Sequence, residues 1–147
     1  MDTRKLVTAT VFVLCLSPLS PAIGGDVDVN RLPEVKTQNG INYLSGGVGL
    51  DEAQAVESAA ADYSLMLTFA VQKSGDYLAY VNVKIADKSG KTVLDTVADG
   101  PMLLVQLPPG QYKISAVSSD RQVTKTVQIS ADSRTKETLY WPDGATE

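Results

Sequence analysis

Ala79-Tyr80-Val81-Asn82-Val83-Lys84-Ile85-Ala86 places Val81, Val83 and Ile85 on alternate positions, with Tyr80, Asn82 and Lys84 between them. A period of two with branched apolar residues on one side marks a half-buried strand. Turn chemistry follows at once in Asp87-Lys88-Ser89-Gly90-Lys91. The same alternation runs upstream. Leu65, Leu67, Phe69 and Val71 alternate with Ser64, Met66, Thr68 and Ala70, and Lys73-Ser74-Gly75-Asp76 closes that segment. Downstream, strands are expected over Thr92–Ala98 and Met102–Leu107, with Asp99-Gly100-Pro101 turning the chain between them. Further strands are expected around Tyr112, Ile114 and Ala116, around Val123, Val127 and Ile129, and over Thr135–Trp141. Lys125 falls at an inward phase of its strand. Short strands between turns at about ten-residue intervals predict an all-β, antiparallel sandwich of about six or seven strands.

Leu107-Pro108-Pro109-Gly110-Gln111-Tyr112 sharpens that expectation. Leu107, Gly110 and Tyr112 are spaced as in a tyrosine corner, where a phenol hydroxyl bonds backbone just upstream and pins a Greek-key crossing. The motif is structural.

The segment before the strands reads differently. Asp51 opens a short helix over about 51–60, with Gln54 three residues later as in a capping box, and Leu50, Ala53, Val56 and Ala60 form a modest apolar face. Residues 25–48 are expected to form an irregular arm, rich in Gly, Asp and Asn. Within it Asn39-Gly40 could turn a small hairpin between 35–38 and 41–44. Residues 142–147 are expected to be a tail, leaving 49–141 as the domain.

The first 24 residues read as an address. Arg4 and Lys5 precede the apolar run Leu6–Leu16, too short to span a bilayer, and Pro18, Ser20, Pro21, Ala22 and Gly24 follow. This is the pattern of a signal peptide cleaved after Ala22 or after Gly24. It implies export to the periplasm and no membrane span in the mature chain. Cys15 is poorly placed as a lipid-modified residue, because Leu14 precedes it where a small residue is needed.

Composition narrows the chemistry. The 147 residues include no histidine, and Cys15 leaves with the signal peptide. The mature chain therefore lacks histidine-dependent triads, thiolate chemistry and the usual zinc ligands. With 13 basic and 17 acidic residues, the net charge of −4 argues against nucleic acid as a partner. Ser133 and Lys136 match S-x-x-K, and Lys73-Ser74-Gly75 and Lys88-Ser89-Gly90 match K-[ST]-G, but the order is reversed and each glycine sits where a hairpin needs it. Asp26, Asp28 and Asn30 imitate a calcium loop in which Arg31 replaces the required glycine. Asp87, Asp95 and Asp99 could meet at a strand end and hold a hard cation weakly. Gly46-Gly47-Val48-Gly49 before a helix has the look of a phosphate cradle, yet Asp51 and Glu52 would repel an anion. No catalytic, cofactor-binding or metal-binding residue is assigned.

Residues 79–129 resemble the carboxypeptidase regulatory-like domain, also called the prealbumin-like or transthyretin-like sandwich. The matching positions are Val81, Val83, Ile85, Asp87, Gly90, Asp99-Gly100, Leu107-Pro108-Pro109-Gly110, Tyr112 and Ile114. Gly46-Gly47-Val48-Gly49, Asp51-Glu52, Tyr63, Leu65, Leu67 and Gly75 extend a likeness to small exported bacterial proteins over about 40–141. The resemblance implies a Greek-key, immunoglobulin-like topology in the periplasm. It implies no activity, since in metallocarboxypeptidases this domain holds no catalytic residue. Ring-hydrolysing relatives on the same sandwich use histidines that this chain lacks. The expected function is non-catalytic binding of a protein or envelope component, through an exposed strand edge or an aromatic patch. The candidate contacts are Tyr77, Tyr80, Tyr140 and Trp141. The alternatives are a carbohydrate-binding module using Tyr80 or Trp141, and a histidine-independent hydrolase.

Overall fold

The alternation of Val81, Val83 and Ile85 turns all three side chains into a core, where each is 1% exposed or less. The computed structural model describes residues 32–143. The expected signal peptide, the calcium-like residues Asp26, Asp28 and Asn30, and the end of the expected tail lie outside the described residues. The elements in chain order are β1 (Lys36–Gln38), β2 (Ile41–Gly46), α1 (Leu50–Ala59), a single 3-10 turn (Ala60–Asp62), β3 (Leu65–Val71), β4 (Val81–Asp87), β5 (Thr92–Ala98), β6 (Met102–Val105), β7 (Gly110–Ser118), β8 (Arg121–Ile129) and β9 (Thr135–Trp141).

Two sheets stack face to face. One has the order β1-β2-β6-β3-β9, the other β5-β4-β7-β8. Pairings are antiparallel except that of β3 with β9, which run parallel from Leu65↔Thr135 to Val71↔Trp141. The chain crosses between sheets after β3, β5, β6 and β8. Because β6 returns beside β3 while β7 returns beside β4, the arrangement is a Greek key. The all-β sandwich expected from the alternation is therefore what forms, with nine strands among the described residues in place of six or seven.

The additional strands come from the expected irregular arm. Asn39 and Gly40 adopt φ 51° and 76°, the positive values of a tight hairpin turn, and β1 pairs with β2 across them. Ile41 and Tyr43 reach the main core and Leu44 the second apolar cluster, so burial by distant strands overrides the polar composition of the segment. Strand β3 is likewise more than half-buried. Its inner residues Leu65, Leu67, Phe69 and Val71 belong to the main core, while Met66 on the other face packs with Leu44, Met102, Leu104 and Val56 under α1.

The helix begins one residue earlier than expected and is not capped by Asp51. Gly49 is the N-cap, at φ 81°, with no side-chain cap bond. Glu52 turns back instead, and its Oε1 accepts the backbone N–H of Gly47 at 2.8 Å and of Val48 at 3.3 Å. Leu50 is exposed, leaving Val56 as the buried residue of the helix.

The tyrosine corner forms as expected. The Tyr112 hydroxyl donates to the Pro108 carbonyl at 2.8 Å, tying the start of β7 to the crossing that delivers it. At the far end Trp141 is fully buried, its ring edge-on to Phe69 with centroids 6.0 Å apart, and its indole N–H donates to the Arg121 carbonyl at 2.9 Å. Tyr112→Phe is expected to cost about 1 kcal/mol, the net worth of one hydrogen bond. Trp141→Ala is expected to cost about 3–5 kcal/mol through the cavity it leaves. Urea denaturation of both variants checks the order.

Candidate functional site

Parallel pairing of β9 beside β3 sets Tyr140 next to Ala70. On the other flank, where β6 has ended, Tyr77 forms an isolated bridge to the same Ala70. Residues paired across neighbouring strands project from the same face. The face is the outer one, because Phe69, Val71, Leu78, Leu139 and Trp141, adjacent in sequence, all lie in the main core. Tyr77, Ala70 and Tyr140 thus form one row across three strand positions. The tyrosines are 65% and 53% exposed, whereas Ala70 between them is 4% exposed. Helix α1 covers Leu44, Met66, Met102 and Leu104 on this face, and the row lies outside that cluster.

The turn after β3 makes the row possible. Val71 N–H donates to Asp76 O at 2.8 Å, Gly75 N–H to Val71 O at 2.9 Å and Leu78 N–H to Phe69 O at 2.9 Å. Gly75 sits at φ 72°, where a β-carbon would be strained. Gln72 N–H donates to Trp141 O at 2.8 Å, and Lys73 pairs with Asp143 at 3.2 Å, so the turn is fastened to the end of β9. One strand step away, Thr68 pairs with Thr138 and adds two half-buried threonines.

The four aromatic residues expected as contacts therefore divide. Tyr77 and Tyr140 come together. Tyr80 is 73% exposed but lies at the crossover into the second sheet, at a left-handed φ of 56° that is unfavourable for an aromatic residue. Trp141 is corrected to a core residue: alternation along β9 gives the outward position to Tyr140 and the inward one to Trp141.

The remaining motifs resolve into backbone supports. Ser133 lies in the turn before β9 and Lys136 on the strand itself, with no helix to bring the pair onto one face. Gly75 and Gly90, at φ 72° and 87°, serve the hairpin turns of the two K-S-G strings. Asp87, Asp95 and Asp99 do not converge. Asp95 pairs with Lys84 at 3.7 Å, Asp99 with Lys36 at 3.6 Å, and Asp87 binds its own turn. Among the described residues no group of three or more His, Cys, Asp or Glu side chains could hold a metal ion. The Gly46–Gly49 loop already has its anion, the Glu52 carboxylate.

One feature gave no sequence signal. A shallow polar cleft of about 500 Å³ opens at the end of the sandwich, lined by Tyr63, Ser64, Gln106, Asp132, Ser133 and Arg134 among others. Its residues come from three separate connections, so no spacing along the chain could reveal it. Burial, and then the Asp62 charge, pushes the Tyr63 phenol up. Ser64 is a latch here. Its hydroxyl accepts Leu107 N–H at 2.8 Å and bonds the Leu107 and Val105 carbonyls at 3.0 and 3.3 Å, while its N–H donates to Gln106 Oε1 at 2.9 Å.

No protein-family model matches the chain. No curated protein matches it. Among solved structures it is similar to a 5-hydroxyisourate hydrolase from Klebsiella pneumoniae, with 14% identity and a TM-score of 0.44 over 56% of this chain and 91% of that one.

Asp87 supplies a pH test of the turn chemistry. Its carboxylate is held below the usual range mainly by the Ser89 hydroxyl; burial opposes this, and the backbone N–H groups of Lys91 and Ser89 and the Lys91 charge lower it further. A depressed folded pKa contributes stability above the unfolded value, about pH 4, and that contribution is lost as pH falls through the folded value. Ser89→Ala should move the Asp87 midpoint upward toward the ordinary value, read by carboxyl-carbon NMR titration.

Proposed function

We propose that this chain is an exported, non-catalytic β-sandwich protein of the prealbumin-like kind, which binds a component of the cell envelope in the periplasm. The observation that carries the reading is the row Tyr77–Ala70–Tyr140, two exposed tyrosines set side by side on a rigid sheet. Tyrosine presents an apolar ring and a polar tip with few torsions to immobilise, which suits a contact surface. Export is supported by the basic n-region, apolar run and small residues of positions 1–24. A non-catalytic role is supported by the lack of histidine and by the work the polar side chains already do: Ser64, Glu52 and Asp87 each satisfy backbone groups.

When the full chain is expressed in a Gram-negative host, mass spectrometry should find it in the periplasmic extract, starting at Ile23 or Gly25. The mature protein should cosediment with isolated envelope material, and the double variant Tyr77→Ala/Tyr140→Ala should lose that cosedimentation while keeping its melting temperature. Retention in the cytoplasm, or envelope binding indifferent to both tyrosines, would overturn the reading.

A further inference from the structure

We infer that the Tyr77–Ala70–Tyr140 row is a platform for an extended, β-1,4-linked polysaccharide, with one sugar ring stacked on each tyrosine. The inference rests on the reading above that these tyrosines form the contact face, and it names the ligand class. Tyr77 and Tyr140 stand one strand on either side of Ala70. Two strand intervals separate their β-carbons by about 10 Å. In an extended β-1,4-linked chain each pyranose is turned over relative to the next, so units two apart present the same face. The length of two such units matches the spacing of the tyrosines. An α-1,4-linked chain curls and does not keep this repeat.

Ala70 supports the platform geometry. It is 4% exposed and belongs to neither apolar cluster. An exposed tyrosine ring flanks it on either side. The C–H face of a pyranose stacks on such a ring, while its equatorial hydroxyls remain at the rim. The tyrosine hydroxyls, together with the paired Thr68 and Thr138 one step along the sheet, offer hydrogen-bonding partners there.

Area selects the occupant. A buried tyrosine contributes about 150–250 Å², so two rings 65% and 53% exposed offer roughly 250 Å² in all. A stable protein interface needs about 800 Å² from each partner. The two rings alone supply under a third of one partner's share of a protein interface and suffice to stack a few sugar rings. Charge disfavours an acidic polysaccharide, since the nearest turn carries Asp76 beside Lys73, which is paired with Asp143 at 3.2 Å.

The test is isothermal titration of the mature protein with soluble hexasaccharides: β-1,4-linked glucose, β-1,4-linked N-acetylglucosamine and, as control, α-1,4-linked glucose. At least one β-1,4 hexamer should bind, with its disaccharide and the α-1,4 hexamer each at least tenfold weaker. Tyr77→Ala and Tyr140→Ala should each weaken binding about tenfold, the upper range for one aromatic contact. Tyr140→Trp should preserve binding, and Tyr80→Ala should leave it unchanged. Circular dichroism melts confirm that each variant is folded. No binding of any β-1,4 hexamer at millimolar concentration, equal binding of the α-1,4 control, or loss with Tyr80→Ala alone would overturn the inference. If envelope cosedimentation still depends on Tyr77 and Tyr140 while the hexamers fail to bind, the ligand class is wrong and the contact face stands. If the hexamers bind and envelope cosedimentation does not occur, the glycan platform stands and the envelope role falls.

Discussion

Trp141 closes the side of the sandwich where its first and last long strands meet. With its ring against Phe69 and its N–H on the Arg121 carbonyl, it joins β9 of one sheet to β8 of the other. A buried indole needs both apolar contact and a hydrogen-bond acceptor, and this corner supplies both. The orientation of Trp141 decides that of its neighbour. With Trp141 inward, Tyr140 must point outward, and the parallel pairing with β3 then sets it beside Ala70 and across from Tyr77. The candidate contact face is in this sense a by-product of how the core is closed.

The edges of the second sheet are guarded. At β5, the Gln38 side-chain amide behaves like a strand partner, donating to Asp95 O at 3.1 Å and accepting Asp95 N–H at 2.6 Å, and Asn39 Nδ2 donates to Val93 O at 3.2 Å. At β8, Trp141 takes the Arg121 carbonyl, the Thr135 hydroxyl donates to Gln128 O at 3.3 Å, and Lys125 pairs with Glu137 of β9. The inward-phase lysine in the sequence thus finds its partner on the neighbouring sheet. Side chains that occupy edge groups in this way discourage strand addition. For this second sheet, strand addition at an edge is therefore disfavoured.

Polar residues in this chain act chiefly on its own backbone. Glu52 fills a loop of amide groups, Asp87 holds a hairpin turn, Ser64 latches β3 to the segment after β6, and Tyr112 pins the crossing into β7. Among the described residues no buried side-chain polar atom lacks a partner. In a protein without histidine, stability rests on this satisfaction together with two apolar clusters.

The strands over Leu65–Val71, Thr92–Ala98 and Thr135–Trp141, the turns between them and the tyrosine corner were legible in the sequence, because period-two alternation, turn residues and a Leu-x-x-Gly-x-Tyr spacing are local signals. The hairpin of β1 and β2 was half legible: Asn39-Gly40 marked the turn, but its few apolar residues could not show that two sheets and a helix would bury them. Glu52 rather than Asp51 engages the loop before α1, because the preceding glycines bend their amide groups back toward the third residue of the helix. Which of Tyr140 and Trp141 faces inward, and that Tyr77 joins Tyr140, depended on the parallel register of β3 with β9. That register brings together residues some seventy positions apart, and alternation within one strand carries no information about its neighbour. Only the packed sandwich could decide it.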